Sequence, residues 1–539
     1  MDEAAPASAP APGEGGGGED APSLTLGPAR RAVLLGSVLL VAACGLAYEI
    51  IAGAVGTYLL GDGVLQFSLT IGVFLSAMGL GSFLSRFVRR RLLATFLVME
   101  ILVGVIGASM APLLLWVYAS GGPYTVVLTG LLGGVGILSG MEIPVLLRVF
   151  KHHDTLRRSA SSILGLDYVG ALIGSLLVPI LLLPAVGTIG ASALFGLLNL
   201  AVAAVGVFTF GEVFRRRGVV LAVIAVCAAP MAAGLLMSDR LGRLIEEDLY
   251  QDPVVYARTT PFQRIVLTRW RGDLRLFLNG SLQFSSRDEY RYHEALVHPA
   301  MAVAPRRGRV LVLGGGDGLA TREVLKWQDV ERVDLVDLDP GVTELAASHP
   351  DLVRLNQGAF LDPRVHIANG DALKFLEAAR DRWDVILMDL PDPSSPNLAR
   401  LYARSTFRLA LSRLTPDGVL TTQATSPFFA REAFWCIAST LDGLPVGGRG
   451  GPPAQVRPYR VTVPSFGLWG FALARARPFD ASALTFPVAT RWLSPATLEA
   501  ALVFAPDEAP SEADRACVNR LDDPVVARAY RRGWSRYGE

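Results

Sequence analysis

The sequence predicts a multi-span α-helical membrane domain followed by an α/β domain that begins with a small antiparallel β unit. Apolar runs of about twenty residues, long enough to cross a bilayer core, recur before residue 240. After residue 250, short apolar strands alternate with helical stretches, as in a parallel sheet covered by helices. A chain of 539 residues is also too long for one ordinary domain.

Composition excludes several classes of function. Apolar residues make up 51% of the chain and charged residues only 18%, against a usual quarter. The formal net charge is +1, so no nucleic-acid partner is expected. The cysteines are far apart and lack the spacing of a zinc site, so unpaired packing cysteines are expected rather than a disulfide framework. They are Cys44, Cys227, Cys436 and Cys517.

Residues 1–29 are rich in Ala, Pro, Gly and acids, and they predict a disordered tail because they cannot bury a core. Residues 30–240 predict a transmembrane helical domain, with Gly and Ala frequent enough for close helix packing. Seven spans are expected, at 32–58, 64–86, 92–119, 124–149, 160–184, 187–211 and 218–238.

Basic residues occur only in alternate connections of the helical region. Cytoplasmic loops are enriched in Lys and Arg, so this pattern places the N-terminus in the cytoplasm. Seven full crossings would then place the C-terminal domain on the opposite side. The basic residues concerned are Arg30, Arg31, Arg86, Arg89, Arg90, Arg91, Arg148, Lys151, Arg157, Arg158, Arg215, Arg216 and Arg217.

Residues 250–304 predict the small β unit and a helix. Arg271-Gly272-Asp273 and Asn279-Gly280 are expected to be turns within the unit 263–284. Ser286 to Glu289 has the spacing of a capping box, which predicts a helix start there. Residues 305–480 predict the α/β domain, with strands at 309–313, 332–337, 365–368, 384–388 and 418–423, and residues 481–539 predict a helical tail without identifiable chemistry.

Acidic residues follow three successive predicted strands of this domain. The first strand runs into Gly314-Gly315-Gly316-Asp317-Gly318, where glycines permit a tight turn and a close approach to a ligand. Asp337 ends the second strand, where an acid can bind ribose hydroxyls, and Asp371 follows the third. An acid beside the glycine loop disfavours a pyrophosphate. The pattern therefore favours a cationic sulfonium nucleoside over NAD.

Two further carboxylates, Asp389 and Asp392, follow the fourth strand in a loop stiffened by prolines. An alkylamine has a pKa of about 10.4 and must lose a proton before it can attack an electrophile. A neighbouring carboxylate can hold the ammonium group and accept that proton. The pair is interpreted as an amine site with a general base, although a proline-rich turn with capping acids would also explain it.

In this order the motifs resemble the polyamine aminopropyltransferases, the spermidine and spermine synthases, over about 255–475. The resemblance implies a Rossmann-like (class I methyltransferase-like) fold. It implies that Asp389 is the general base and that Asp392 binds the amine. It further implies amine contacts from Tyr292, His293 and Asp317, with Gln283 as a weaker candidate. The nucleoside residues implied are Gln263, Gly314, Gly316, Asp337, Asp371, Ala372 and Pro396.

The resemblance implies transfer of an aminopropyl group from decarboxylated S-adenosylmethionine to putrescine or a related amine, giving spermidine and methylthioadenosine. It implies no metal and no cofactor, since the nucleoside is a co-substrate. The expected partners are these small molecules, membrane lipid and another copy of the chain. Two alternatives remain: a membrane polyamine transporter or sensor that binds without turnover, and a methyltransferase, which the anionic pocket disfavours.

Acids within the predicted spans are unusual because burying a carboxylate in a membrane is costly. Glu49, Glu100, Glu142 and Asp167 either pair within the bundle or form a path for polyamines. A cell-membrane location is expected for the chain. The co-substrate is made in the cytoplasm, so a cytoplasmic catalytic domain is also expected, in conflict with seven full crossings; a last run interrupted by Pro230 that does not cross would resolve the conflict.

Overall fold

The computed structural model describes residues 27–60, 63–150, 156–214, 216–250 and 252–537. Nearly all of the predicted disordered tail lies outside these residues. The first part of the described chain is helical, because a helix satisfies the backbone hydrogen bonds of a long apolar run within the run itself. Its helices are α1 (Pro28–Leu60), α2 (Gly63–Leu84), α3 (Leu92–Ala119), α4 (Tyr124–Phe150), α5 (Leu156–Leu177), α6 (Leu183–Thr209), α7 (Arg217–Leu236) and α8 (Ser238–Tyr250).

Six helical stretches in the described residues are long and apolar enough to cross a membrane, judged by length and composition. The longest, Ala160–Thr209, has 50 residues and as one straight helix would be about 75 Å long. Gly187 interrupts it with φ 65° and ψ −177°, a backbone conformation that favours glycine. The break lies where the sequence separates the fifth and sixth predicted spans, so the stretch comprises two apolar segments.

The β unit contains four antiparallel strands in the order β1-β2-β3-β4. Asn279 and Gly280 both have positive φ, 49° and 80°, as a tight hairpin turn requires. Both predicted turns are confirmed, but the unit begins earlier than predicted because β1 pairs with β2. The strands are β1 (Val254–Thr259), β2 (Arg264–Trp270), β3 (Asp273–Leu278) and β4 (Ser281–Ser285).

The larger sheet has the order β10-β11-β9-β8-β5-β6-β7. All five predicted strands are confirmed within a few residues. The inner strands β5 and β8 are apolar because both faces of the sheet are covered there, whereas the edge strand β7 is largely exposed. The antiparallel pair β10 and β11 extends the sheet beyond the prediction. The strands are β5 (Arg309–Gly314), β6 (Arg332–Asp337), β7 (Val365–Asn369), β8 (Trp383–Asp389), β9 (Leu414–Gln423), β10 (Gln455–Val463) and β11 (Gly467–Arg475).

The chain order reverses between β5 and β8. From β5 the chain proceeds to β6 and β7 on one side of the sheet, and then returns to β8 and β9 on the other. Such a reversal opens a crevice at the carboxyl ends of the two strands, where open α/β sheets bind ligands. The Gly314–Gly318 loop and Asp389 lie at this crevice, because Gly314 pairs with Asp389 across the sheet.

Helices cover the two faces of the sheet and form the C-terminal tail. They are α9 (Glu289–Val303), α10 (Leu319–Leu325), α11 (Pro340–Ser348), α12 (Pro350–Leu355), α13 (Ala372–Ala378), α14 (Pro396–Ala399), α15 (Arg404–Ser412), α16 (Arg431–Leu441), α17 (Pro495–Ala501), α18 (Glu512–Ala516) and α19 (Val525–Trp534).

Helix α9 confirms the predicted helix, but its predicted capping box is wrong. The helix begins at Glu289, after Asp288, and Asp288 makes no side-chain cap. The carboxylate of Asp288 instead accepts hydrogen bonds from the backbone N–H and hydroxyl of Ser465. The Ser286 hydroxyl is engaged by Asp273, so tertiary contacts take both groups away from the helix end.

The prediction of unpaired cysteines is wrong for two of the four. Cys436 on α16 and Cys517 after α18 form a disulfide, with their Cα atoms 5.0 Å apart, whereas Cys44 and Cys227 are free. The sequence separation of 81 residues hid the pairing, because only the packing of the tail against α16 brings the two residues together.

Candidate active site

Glycines at the end of β5 allow neighbouring acids to approach the backbone. The N–H of Gly316 donates a hydrogen bond of 3.0 Å to Oδ2 of Asp337. A Cβ atom at Gly316 would lie 2.6 Å from that oxygen, so a larger residue would push the carboxylate away. The backbone N–H of Asp339 donates to Oδ1 of Asp337 at 2.9 Å. The acid is thereby held at the end of β6 beside the loop, where the resemblance places the ribose.

Asp317 lies inside the crevice beside His293. Its carboxylate accepts a hydrogen bond from the N–H of Leu319 at 2.9 Å. Burial raises the pKa of Asp317 above its ordinary value, although the nearby His293 opposes this rise. Burial likewise raises the pKa of Asp337 to about 6, against two backbone hydrogen bonds that favour the charged form.

Asp389 ends β8 and faces the same space. The hydroxyl of Tyr292 on α9 donates a hydrogen bond of 2.6 Å to its Oδ1. Burial raises the pKa of Asp389 to about 6; the charge of His293 opposes the rise and that of Asp317 adds to it. The carboxylate therefore stays mostly ionised at neutral pH, yet binds a proton more readily than an exposed aspartate does.

Asp392, three residues further on, is held by groups that the sequence did not point to. Nε2 of Gln423 donates to Oδ1 at 3.2 Å, and the hydroxyl of Thr425 donates to Oδ2 at 3.3 Å. Tyr530 from α19 also forms a hydrogen bond with this carboxylate. Burial nevertheless raises the pKa of Asp392 to about 6. The tail, in which the sequence showed no identifiable chemistry, therefore contributes to the site.

His293 lies between the acids and a buried ionic network. Its Nδ1 is 2.9 Å from Oε2 of Glu289, and Arg322 donates to both oxygens of Glu289 at 2.9 Å. Burial alone would lower the pKa of His293, but the hydrogen bond and charge of Glu289, with Asp317 and Asp389, raise it to about 9. The network continues from Arg322 to Glu323 at 2.9 Å. It supports α9 from behind the site.

The predicted amine residues meet in one place. The charge of Asp317 acts on Asp389, and both Asp389 and Asp392 act on the hydroxyl of Tyr292 and raise its pKa, after burial. His293 interacts with Asp317 and Asp389. This cluster, which we call the acid pocket, consists of Tyr292, His293, Asp317, Asp389 and Asp392. It is buried and predominantly anionic, so it can bind and deprotonate a cation.

The other predicted residues lie around the acid pocket. Asp371 caps α13 through the N–H of Leu373 at 2.8 Å and pairs with Arg400 at 2.6 Å. Ala372 begins α13 and Pro396 begins α14. Nε2 of Gln263 donates to Oδ2 of Asp339 at 3.0 Å, at the wall of a cavity of about 660 Å³ between the β unit and the ends of the bundle helices.

Gln283 folds back onto its own strand, since its Nε2 donates to the backbone oxygen of Ser281. Within the described residues no contact joins it to the acid pocket. Sequence reasoning missed five residues that shape the pocket, namely Glu289, Arg322, Gln423, Thr425 and Tyr530. Only Glu289 had a local signal, because it lies one helical turn before His293.

The chain is similar to known proteins over most of its length. A model of the spermine/spermidine synthase domain matches residues 289–480. A protein named polyamine aminopropyltransferase 2 from Ralstonia nicotianae is 44% identical over 513 residues, covering 94% of this chain and 98% of the relative. A polyamine aminopropyltransferase from Leptospira interrogans is 41% identical over 500 residues, covering 93% and 98%. A solved spermidine synthase in complex with the transition-state analogue AdoDATO has a TM-score of 0.44 and 24% identity, covering 49% of this chain and 88% of that chain.

Proposed function

The chain belongs to the polyamine aminopropyltransferase family, and from that premise we propose how its acid pocket works. The reaction is transfer of an aminopropyl group from decarboxylated S-adenosylmethionine to putrescine or a related amine, giving spermidine and methylthioadenosine. The observation that carries the assignment of roles is the convergence of Asp317, Asp389 and Asp392 on Tyr292 and His293.

In the proposed mechanism Asp392 holds the amine and Asp389 takes its proton. Tyr292 occupies Oδ1 of Asp389, so Oδ2 is the oxygen that we assign to the proton. The amine nitrogen then attacks the carbon next to the sulfonium sulfur. The new C–N bond forms as the C–S bond breaks, and the bonding electrons pass to sulfur, which leaves as the neutral thioether of methylthioadenosine.

The buried acids suit both cationic substrates. Asp317 is proposed to hold the amino end of the aminopropyl group, and Asp337 the ribose, next to the Gly314–Gly318 loop. Gln263, Asp371, Ala372 and Pro396 are proposed to surround the rest of the nucleoside. Because the sulfonium already supplies a good leaving group, positioning and proton removal are the main tasks of the protein. None of these tasks requires a metal or a further cofactor.

A product assay on the full chain tests this proposal. The protein is incubated with decarboxylated S-adenosylmethionine and a panel of diamines, and methylthioadenosine and the elongated amine are measured together. Equal amounts of both products are expected with at least one diamine. A parallel reaction with S-adenosylmethionine tests methyl transfer. Amine binding without methylthioadenosine would contradict the proposal and favour a sensor or transporter.

We also propose that the helical region spans the cell membrane and contacts lipid. The support is the outer surface of the bundle, where large apolar side chains are exposed. Examples are Leu75 (59% exposed), Val126 (70%), Ile180 (67%) and Val226 (72%). Many exposed large apolar side chains on one helical bundle favour aggregation in water. Retention of the full chain in membranes after alkaline carbonate washing is expected, and its release would contradict the proposal.

The side of the membrane is a separate question. The cytoplasmic placement expected from the source of the co-substrate remains a prediction. We propose the opposite face, to which the co-substrate must then be delivered across the membrane. Seven apolar segments with basic residues at one end support it. So does the disulfide between Cys436 and Cys517, since disulfides persist in oxidising compartments outside the cytoplasm. Helix α7 is continuous from Arg217 through Pro230 to Leu236, which supports a seventh crossing.

Reporter fusions test the side. A phosphatase that is active only outside the cytoplasm, fused after residue 240, is expected to be active, whereas the same reporter fused after residue 150 is expected to be silent. A fluorescent protein that matures only in the cytoplasm should give the reverse pattern. A silent phosphatase after residue 240 would return the catalytic domain to the cytoplasm.

A further inference from the structure

A second set of buried acids lies inside the helical bundle, far from the acid pocket in the fold. Glu100 on α3 is 0% exposed and Glu142 on α4 is 7% exposed. Their carboxyl groups interact with each other, and Asp167 on α5 adds a third negative group near Glu142. Glu100 is eight residues from the start of its helix, so it lies roughly 12 Å along the helix axis from the N-terminal end of α3.

Unpartnered polar atoms surround the carboxyl pair. Neither oxygen of Glu100 has a hydrogen-bond partner among the described residues, and the same holds for the hydroxyl of Tyr48 and both polar atoms of the Asn199 side chain. Tyr48 and Asn199 are each 0% exposed, so bulk water does not reach these groups. Leaving a buried polar group unsatisfied costs about 1–3 kcal/mol, so several such groups together indicate a ligand position.

Contacts between helices bring these groups to one place. The hydroxyl of Tyr48 on α1 interacts electrostatically with both Glu100 and Glu142. The Asn199 side chain on α6 packs against Gly104, one helical turn from Glu100 on α3. The ring of Tyr48 meets the ring of Phe195 edge-on, with centroids 6.3 Å apart. We call this group, comprising Tyr48, Glu100, Glu142, Phe195 and Asn199, the bundle site.

The chemistry of the bundle site selects a cation. Its carboxylates are acceptors only, and no Lys or Arg among its members donates to them. Two facing carboxylates in a dry interior repel each other, so the pair needs either a shared proton or a positive group between its members. The apolar aromatic pair beside the carboxyl groups favours an organic ammonium over a strongly hydrated ion. The site contains no group of three metal-ligating side chains among the described residues.

We propose that the bundle site binds the ammonium end of an aliphatic di- or polyamine, separately from the acid pocket. The amine class rests on the proposed function, because the acid pocket handles the same chemistry. An ammonium donates three hydrogen bonds, and Glu100, Glu142 and the carbonyl oxygen of Asn199 can accept them. The helical region is then an amine-binding domain as well as an anchor.

Binding measurements on the full chain in lipid nanodiscs test the proposal. Radiolabelled putrescine and spermidine are titrated against the natural protein and against a variant with Asp389→Asn and Asp392→Asn, which removes amine binding in the acid pocket. We expect two amines per chain for the former and one for the latter. Adding Glu100→Gln and Glu142→Gln to this variant should weaken the remaining amine binding at least tenfold in affinity.

A matched control is Glu49→Gln, since Glu49 is a buried acid of the same bundle outside the bundle site. It should keep the second amine. Equal loss in that control, or no amine bound once the acid pocket is disabled, would overturn the proposal. Displacement of the amine by sodium at equimolar concentration would also overturn it. Monodisperse elution of each variant verifies folding, and methylthioadenosine formation by the natural protein tests the proposed function independently.

Discussion

The acid pocket and the bundle site both bury carboxylates, but they differ in what surrounds them. In the acid pocket, Asp389 and Asp392 accept hydrogen bonds from Tyr292, Gln423 and Thr425, and His293 supplies positive charge. In the bundle site, Glu100 accepts none from the described residues. A preorganised set of donors holds catalytic acids in position for a transition state. Unsatisfied acceptors instead favour a ligand that supplies the donors itself.

The largest expected difference between the two sites concerns the proposed catalytic base, Asp389. Asp389→Asn removes the proton acceptor and should lower kcat by about 10²–10⁴-fold, while methylthioadenosine binding, measured by calorimetry, stays within a fewfold of the natural value. Asp381→Asn is the control, because Asp381 is an exposed aspartate that pairs with Arg309 outside the acid pocket. An unchanged kcat in Asp389→Asn would remove that residue from the role of base.

The next test concerns the buried ionic network of Glu289, Arg322 and Glu323 behind the acid pocket. Arg322→Met removes a buried cation that pairs with both Glu289 and Glu323, and it should lower the free energy of unfolding by about 3–5 kcal/mol. Arg258→Met breaks the exposed ion pair with Glu344 and should change the free energy of unfolding by at most about 1 kcal/mol. Thermal and denaturant unfolding of the full chain measures both, and similar effects would contradict a structural role for the buried network.

In the bundle site, removal of a buried acid is expected to raise the free energy of unfolding rather than lower it. Without amine, Glu100→Leu should raise the free energy of unfolding by about 1–3 kcal/mol, because it removes unsatisfied buried acceptors. The natural protein should gain stability when spermidine is added, and Glu100→Leu should gain less. Glu49→Leu should show no such rise, since neither of its oxygens is among the buried unpartnered atoms of the described residues. A fall in stability for Glu100→Leu would indicate that Glu100 already has a partner.

The smallest expected effect concerns pH. The pKa of Asp389 is raised to about 6, so kcat/KM should fall as the pH drops through about 6 and the base becomes protonated. The hydrogen bond from Tyr292 favours the charged form. Tyr292→Phe should therefore move this acid limb upward by about one pH unit. Tyr290→Phe on the same helix is the control, because Tyr290 stacks on Arg491. A downward shift would contradict the assigned direction.

Particular residues show how far sequence reasoning reached. The Gly314–Gly318 loop, Asp337, Asp389 and Asp392 were predictable because each follows an apolar strand, and the carboxyl ends of neighbouring parallel strands share one edge. Tyr292 and His293 were placed by the resemblance and by a helix that the structure confirms. Gln423 and Tyr530 were not predictable, since nothing near them in sequence distinguishes a buried donor to Asp392 from an ordinary packing residue.

The sequence alone determined the two-part architecture, the apolar segments, the order of the central strands and the acids at their ends. These depend on hydrophobic periodicity and on local turn chemistry, which neighbouring residues encode. Only the tertiary structure decided the pairing of Cys436 with Cys517, the contact of Tyr530 with Asp392 and the meeting of Glu100 with Glu142. Each of these joins elements far apart in the chain, and the physical reason is the same: packing of whole helices, rather than local sequence, brings such groups within reach.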